Sequence, residues 1–285
     1  MSEFSKRLAF SLVAAPAVVA MVVAGGAWLA VLLAVAAALA AHEFFRLAAA
    51  NGARPLHEHG VVLAASIPLL MHARMLGLWV PPLSLLMLIV LELLTVALFF
   101  RGPAGRPFSA VGDTLLGVMY TGATLGFGYA LRYHPYAIGA AAGASLVAFP
   151  LFLTWGTDVG AYVFGRWLGV RKLMPSVSPG KTWAGAWGGL AVAIVVSFVF
   201  ARVVLPTYAQ LTLRTGAVIG VGIAMSVAAQ VGDLVESMFK RDAGIKDSSH
   251  LIPGHGGVLD RVDSLLFTLP LGYVLLDWLL VPAPR

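Results

Sequence analysis

The chain has 285 residues, 60% of them hydrophobic and only 11% charged, with no cysteine and a formal net charge of +6. Apolar runs of 17 residues or more recur along it, mean hydropathy is +0.90, and polar side chains are too few to clothe a water-soluble fold, so a soluble domain is excluded. The lack of cysteine removes disulfides, thiolate nucleophiles and cysteine-based metal sites. A pI near 9.8 would suggest nucleic acid in a soluble chain; here the basic residues read as topology signals and phosphate contacts, and no nucleic-acid partner is expected.

Hydropathy predicts an all-α polytopic integral membrane protein with nine spans, at 8–24, 27–46, 60–78, 82–100, 109–131, 138–164, 183–204, 214–236 and 259–281. At about 1.5 Å per residue each can cross roughly 30 Å of hydrocarbon with some tilt. Lys6 and Arg7 ahead of the first run resemble the start of a signal peptide. A second span follows at once across Gly25-Gly26, so retention of the first is expected. Placing the N-terminus inside puts fourteen of the nineteen Lys and Arg on the cytoplasmic side and five outside, which favours a cytoplasmic N-terminus.

Residues 1–137 read as a scaffold of five spans. Their inner loop from Arg46 to Gly60, with His42 nearby, holds His57 and His59; a metal reading competes there with ordinary interfacial histidines. Glu43 and Glu92 are acids within apolar surroundings, and the expectation for them is helix packing or a protonated acid facing the bundle.

Residues 138–285 carry the chemistry-bearing groups, with cytoplasmic loops at 165–182 and 237–259. Span 6 ends with Asp158, Tyr162 and Arg166 four apart, on one helical face, among Gly156, Gly160 and Gly165, whose default role is close helix packing. Ser178, Pro179, Gly180, Lys181 and Thr182 open span 7. Unpaired N–H groups beside a lysine and two hydroxyls make an anion site there, against the plainer reading of a helix cap with a topology lysine. The spacing is not that of a P-loop. Span 8 ends with Asp233, Glu236 and Lys240 along one face, Ser237 beside them, and span 9 begins with Asp260, Arg261 and Asp263. Between them, residues 237–263 gather four of the nineteen bases, Lys240, Arg241, Lys246 and Arg261, and four of the thirteen acids, Asp242, Asp247, Asp260 and Asp263. Pro253, Gly254, Gly256 and Gly257 around His255 make the backbone irregular where charge is densest.

If the inner ends of spans 6, 8 and 9 meet, Asp158, Asp233, Glu236, Asp260 and Asp263 would repel one another unless cations or protons intervene. Hard oxygen ligands suit magnesium, which keeps water and substrate phosphates in its shell. Lysines crowding such a site call for a strongly anionic substrate, and metal with lysines points to phosphoryl or nucleotidyl transfer. His255 reads equally as a turn residue and as a phosphate donor.

The run SMFKRDAGIKDSSHLIPGHGGVLDRVD from Ser237 to Asp263 resembles the signature of the phosphatidate cytidylyltransferase (CDP-diacylglycerol synthase) family. DVGAYVFGR from Asp158, SPGKTW from Ser178 and QVGDLVES from Gln230 are similar to its upstream pieces. The resemblance spans roughly residues 105–265. It departs at Ala184, where many relatives carry glutamate, and at Gly180, where they carry lysine or arginine.

The resemblance implies transfer of the cytidylyl group of CTP to phosphatidic acid, giving CDP-diacylglycerol and pyrophosphate for phospholipid biosynthesis. It implies catalytic roles for Asp233, Lys240, Arg241, Lys246, Asp260 and Asp263. Substrate contacts would come from Ser178, Lys181, Thr182, Ser237, Asp247, His255 and Arg261, and metal contacts from Asp158, Asp233, Glu236, Asp260 and Asp263. Magnesium, with or without a second cation, a homodimer, and an inner-membrane location with the site facing the cytoplasm are the matching expectations. Two alternatives compete. A CDP-alcohol phosphatidyltransferase would need the longer pattern DxxDGxxAR, but Asp260-Arg-Val-Asp263 is followed by Ser-Leu-Leu. A cation transporter would need ionisable residues at mid-depth on several spans, whereas the acids here cluster at one face.

Overall fold

Lipid offers no partner to a backbone N–H or C=O, so apolar stretches close their hydrogen bonds internally as helices. The computed structural model describes residues 3–245, 248–249 and 256–283, with side chains at Leu12 and from residue 14 onward. Its helices are α1 (Glu3–Ala24), α2 (Gly26–Ala50), α3 (His57–Met75), α4 (Ser84–Phe100), α5 (Pro107–Gly117), α6 (Thr124–Arg132), α7 (Ala140–Leu168), α8 (Trp183–Val199), α9 (Leu205–Ala209), α10 (Thr215–Asp242), α11 (Leu259–Val262) and α12 (Leu265–Leu279). Single π-helical turns, Val118–Ala123 and Phe200–Val204, join α5 to α6 and α8 to α9.

Each predicted span is helical, but among the described residues five helical stretches are long and apolar enough to cross a membrane: Gly26–Ala50, Ala140–Leu168, Trp183–Ala209, Thr215–Asp242 and Leu259–Leu279. Two of the others fall short for visible reasons. Helix α4 has 17 residues, and α3 carries His57, Glu58, His59, His72 and Arg74 within its 19. Leu83, Phe99, Phe108 and Ile138 expose most of their side chains, a pattern that suits lipid rather than water.

Four short strands correct the purely helical expectation. In the segment read as a loop, β1 (Lys172–Met174) pairs antiparallel with β2 (Ser178–Thr182). Near the end of the chain, β3 (Leu211–Leu213) pairs with β4 (Leu280–Pro282) in the register Leu211↔Pro282. Helix ends also lie further along than hydropathy placed them: α7 runs to Leu168 and α10 to Asp242, because polar residues past the apolar core still extend a helix into the interface.

The chain packs as two units, Met1–Tyr129 with Phe239–Arg261, and Ala130–Met238 with Val262–Arg285. Phe239–Arg261 belongs to the first unit, with the N-terminal helices. In the first unit α2 buries an alanine face, Ala30, Ala34, Ala37 and Ala41, at helical spacing. Gly60 and Gly117 flank the Phe45 ring, and a side chain at either would run into it. In the second unit α7 and α8 touch through glycine, as the small-residue pattern predicted. A Cβ at Gly160 would sit 2.6 Å from the Gly188 carbonyl and one at Gly189 2.8 Å from that of Thr157.

Candidate active site

That glycine contact leaves an open cavity of about 460 Å³ in the second unit, where α7, β2, α8 and α10 come together. Asp158, Tyr162 and Arg166 line it from α7, Lys181 and Thr182 from β2, and Gln230 and Asp233 from α10. The predicted face of α7 is therefore intact, and Arg166 Nη1 donates to the Tyr162 hydroxyl at 2.9 Å. Lys181 Nζ lies 2.8 Å from Asp233 Oδ2, with both side chains partly exposed. Ser237 Oγ donates to the other Asp233 oxygen at 3.3 Å. Thr182 is the N-cap of α8, its hydroxyl accepting from the Gly185 N–H at 3.1 Å, so the hairpin hands Lys181 to the cavity just before the helix starts. Ser178 begins β2, half-buried. Gly180 has open space where a Cβ would stand, so no steric demand accounts for glycine in place of the lysine or arginine of the family pattern.

Close packing also draws the start of the last span towards α10. A Cβ at Gly232 would lie 2.8 Å from the Asp263 carbonyl and 2.9 Å from the Ser264 Cα, so Asp263 stands beside the turn that carries Asp233. Asp263 Oδ1 accepts from the Ser264 N–H at 2.6 Å. Glu236 is 1% exposed and is not among the residues lining the cavity. Within this unit, then, Asp158 and Asp233 share a cavity with a lysine and an arginine at its wall.

The remaining described members of the predicted set belong to the first unit. Lys240 Nζ lies 2.8 Å from Asp260 Oδ1, an ion pair more buried than the other. Asp260 Oδ2 accepts from the Ser248 hydroxyl at 2.9 Å, the Ser248 N–H at 3.2 Å and the Gly257 N–H at 2.8 Å. Arg241 and Arg261 are exposed. Lys246, Asp247 and His255 lie outside the described residues.

Three participants had no role assigned from sequence. Gln230, inside one of the quoted motifs, donates from Nε2 to the Ala186 carbonyl at 3.3 Å and to Ser226 Oγ at 3.1 Å, at the cavity wall. Ser248 serves Asp260. Glu43, an acid in an apolar span, is buried and accepts hydrogen bonds from the Ser248–Leu259 segment; its improbable burial was the signal that could have found it. Glu92 is exposed and lies 3.7 Å from His59, and His42 and His57 hydrogen-bond each other at 2.9 Å.

Comparison with known proteins adds a lineage to this geometry. The model of the Cytidylyltransferase family matches residues 5–279. The phosphatidate cytidylyltransferase of Staphylococcus epidermidis is 35% identical over 217 residues, 76% of this chain and 78% of that protein. The protein of that name from Staphylococcus aureus is 33% identical over the same extent. The one from Haemophilus influenzae is 47% identical over 140 residues, 49% of this chain and 48% of its own length. A match from one end of the chain almost to the other, with acids and lysines paired at the positions its motifs single out, means that the chain belongs to the cytidylyltransferase family.

Proposed function

We propose that the chain transfers the cytidylyl group of CTP to phosphatidic acid, releasing pyrophosphate and leaving CDP-diacylglycerol in the membrane. The observation that carries this reading is the cavity in which Lys181, paired with Asp233, faces Asp158 and Arg166 in a chain of this family. An oxygen of the lipid phosphate forms the new bond to the α-phosphorus of CTP while the bond from that phosphorus to the pyrophosphate oxygen breaks. The lipid supplies the nucleophile, so no enzyme nucleophile is needed. What the protein contributes is positioning and charge neutralisation, which account for most of the catalysis of phosphate-centred transfers.

Lys181 reaches the cavity on a strand that ends in a capped helix start, a rigid mount for a phosphate-binding charge. Held by Asp233, it can pass from that carboxylate to a phosphate oxygen without crossing apolar surroundings. Asp158 and Asp233 offer hard oxygen donors on one wall, which fits magnesium. Among the described residues no three carboxylate or imidazole side chains gather to hold a metal ion, so the ion proposed here would draw the rest of its shell from water and phosphate. Bound there, magnesium would supply charge stabilisation to the triphosphate. Asp260, Asp263 and Glu236 are proposed for the same role on the resemblance alone, as are Lys240, Arg241, Lys246 and Arg261 for anion contacts, and Ser178, Thr182, Ser237, Asp247 and His255 for substrate contacts.

The same reading makes the protein a nine-span, N-in homodimer of the inner membrane with its site towards the cytoplasm. Absence of cysteine makes orientation directly testable: a single cysteine at Asn51 should label from the cytoplasmic side and one at Gly77 from the opposite side, and the reverse pattern would refute it. For the reaction, purified protein should release pyrophosphate only when CTP, phosphatidic acid and a divalent ion are all present. Release from CTP without the lipid, or equal rates with ATP, would contradict the proposal.

A further inference from the structure

In the first unit the C-terminal end of α2 carries a dense polar cluster around Glu43, an acid of which the reaction as proposed makes no use. Glu43 is 1% exposed. Its Oε1 accepts from Ser249 Oγ at 2.6 Å and from the Val258 N–H at 3.0 Å. Its Oε2 accepts from the Leu259 N–H at 2.7 Å and from Ser248 Oγ at 3.0 Å. A carboxylate has about four acceptor sites, and here four donors from one short segment take the place of its water. The donors come from both sides of residues 250–255, two at 248–249 and two at 258–259, so a single side chain ties the two ends together.

The mount is stiff. Phe45, two residues on, is wedged between Gly60 and Gly117, and Phe44 packs edge-on against Phe239 with ring centroids 5.4 Å apart. Two glycines make the tie possible: Gly256 adopts φ of 81°, and any side chain at Gly257 would run into the Glu43 carboxylate and the Ser248 hydroxyl. One step further lies Asp260. The Ser248 hydroxyl lies 3.0 Å from Glu43 and 2.9 Å from Asp260; its one proton serves either carboxylate in turn, so the serine stands between the two acids.

We infer that Glu43 is a positioning residue: a buried acid on the N-terminal scaffold that pins both ends of the 248–259 segment and thereby fixes the orientation of Asp260. In this role it touches neither substrate nor metal. The inference rests on the transferase reading for the importance of Asp260, but the pinning is physical and can be measured without turnover.

The test uses the full chain purified in detergent. Glu43→Gln keeps the shape but turns an amide NH2 towards N–H donors. Its expected signature is faster hydrogen exchange at the Val258 and Leu259 amides, unchanged exchange at 226–233 lining the cavity, and a kcat lower by about 10- to 100-fold, the usual range for a residue supporting a metal or catalytic ligand. KM for CTP should stay within about threefold, since Lys181, Asp233, Asp158 and Arg166 at the cavity are untouched. Gly257→Ala, which crowds the carboxylate instead of replacing it, should give the same pattern, and Ser249→Ala a weaker one. Wild-type exchange at 258–259 in Glu43→Gln overturns the inference, as does a loss confined to KM. Should Glu43→Gln fail to fold, wild-type exchange and kcat in both Gly257→Ala and Ser249→Ala overturn it equally. An inactive wild type whose 258–259 exchange still responds to Glu43→Gln would refute the transferase reading and leave the pinning standing.

Discussion

Lys181–Asp233 and Lys240–Asp260 are ion pairs of equal length, 2.8 Å, in unequal surroundings. The first opens onto the cavity, its side chains 24% and 37% exposed. The second is 15% and 8% exposed, and its acid takes further bonds from Ser248 and Gly257. Water screens the first pair, so holding it together contributes little stability and releasing it costs little. The second is desolvated, and breaking it strands a charge that donors already organised around it cannot compensate. Equal distance therefore hides unlike surroundings: one pair lies open to the cavity, and the other is held in a framework of hydrogen bonds.

The sharpest way to break this comparison is at Asp260. Asp260→Asn should lower turnover by more than about 100-fold, the scale on which a preorganised charged group at a transfer site acts, and a steady-state assay at saturating CTP and lipid checks it. Lys240→Met should then cost about 3 kcal/mol in thermal or denaturant unfolding, at the lower end for a buried pair that loses one partner. Lys181→Met sharpens the contrast. Its stability should fall by about 1 kcal/mol or less, while kcat/KM falls about 10- to 100-fold, chiefly through KM for CTP, as expected when ground-state and transition-state binding are lost together. Equal stability losses at the two lysines would erase the distinction.

The smallest effect is expected at His134. The His134 ring is buried, its Nδ1 accepting from the Tyr136 N–H at 3.3 Å and its Nε2 lying 3.6 Å from Asp277. Burial holds its pKa below the usual 6.5, with Asp277 pulling the other way. The unfolded chain then binds a proton more readily than the folded one, so the stability from this site is full above the ordinary histidine range and is lost as pH falls through the lowered value. Melting curves between pH 8 and 5 should therefore fall more steeply for the wild type than for His134→Phe; parallel curves would contradict this.

Much of this architecture was legible in the sequence because membrane helices follow from apolar length alone, and the helical face of Asp158, Tyr162 and Arg166 follows from spacing. The β1–β2 hairpin was not, since a segment of three and five residues with Pro175 and Pro179 nearby carries no strand periodicity. The packing of Phe239–Arg261 with the N-terminal helices was equally hidden: Glu43 stands more than two hundred positions before the groups it binds. Charge spacing singled out which residues to look at, whereas partners chosen by packing, Lys181 for Asp233 and Lys240 for Asp260, had to be seen.

The account stands or falls on where the atoms of CTP go. Purified protein in mixed micelles of phosphatidic acid with a divalent ion, given CTP labelled on either the α- or the γ-phosphorus, should move the α label into a chloroform-soluble lipid and leave the γ label in water as pyrophosphate. A γ label found in the lipid, or an α label that never leaves the aqueous phase while CTP is consumed, would contradict cytidylyl transfer.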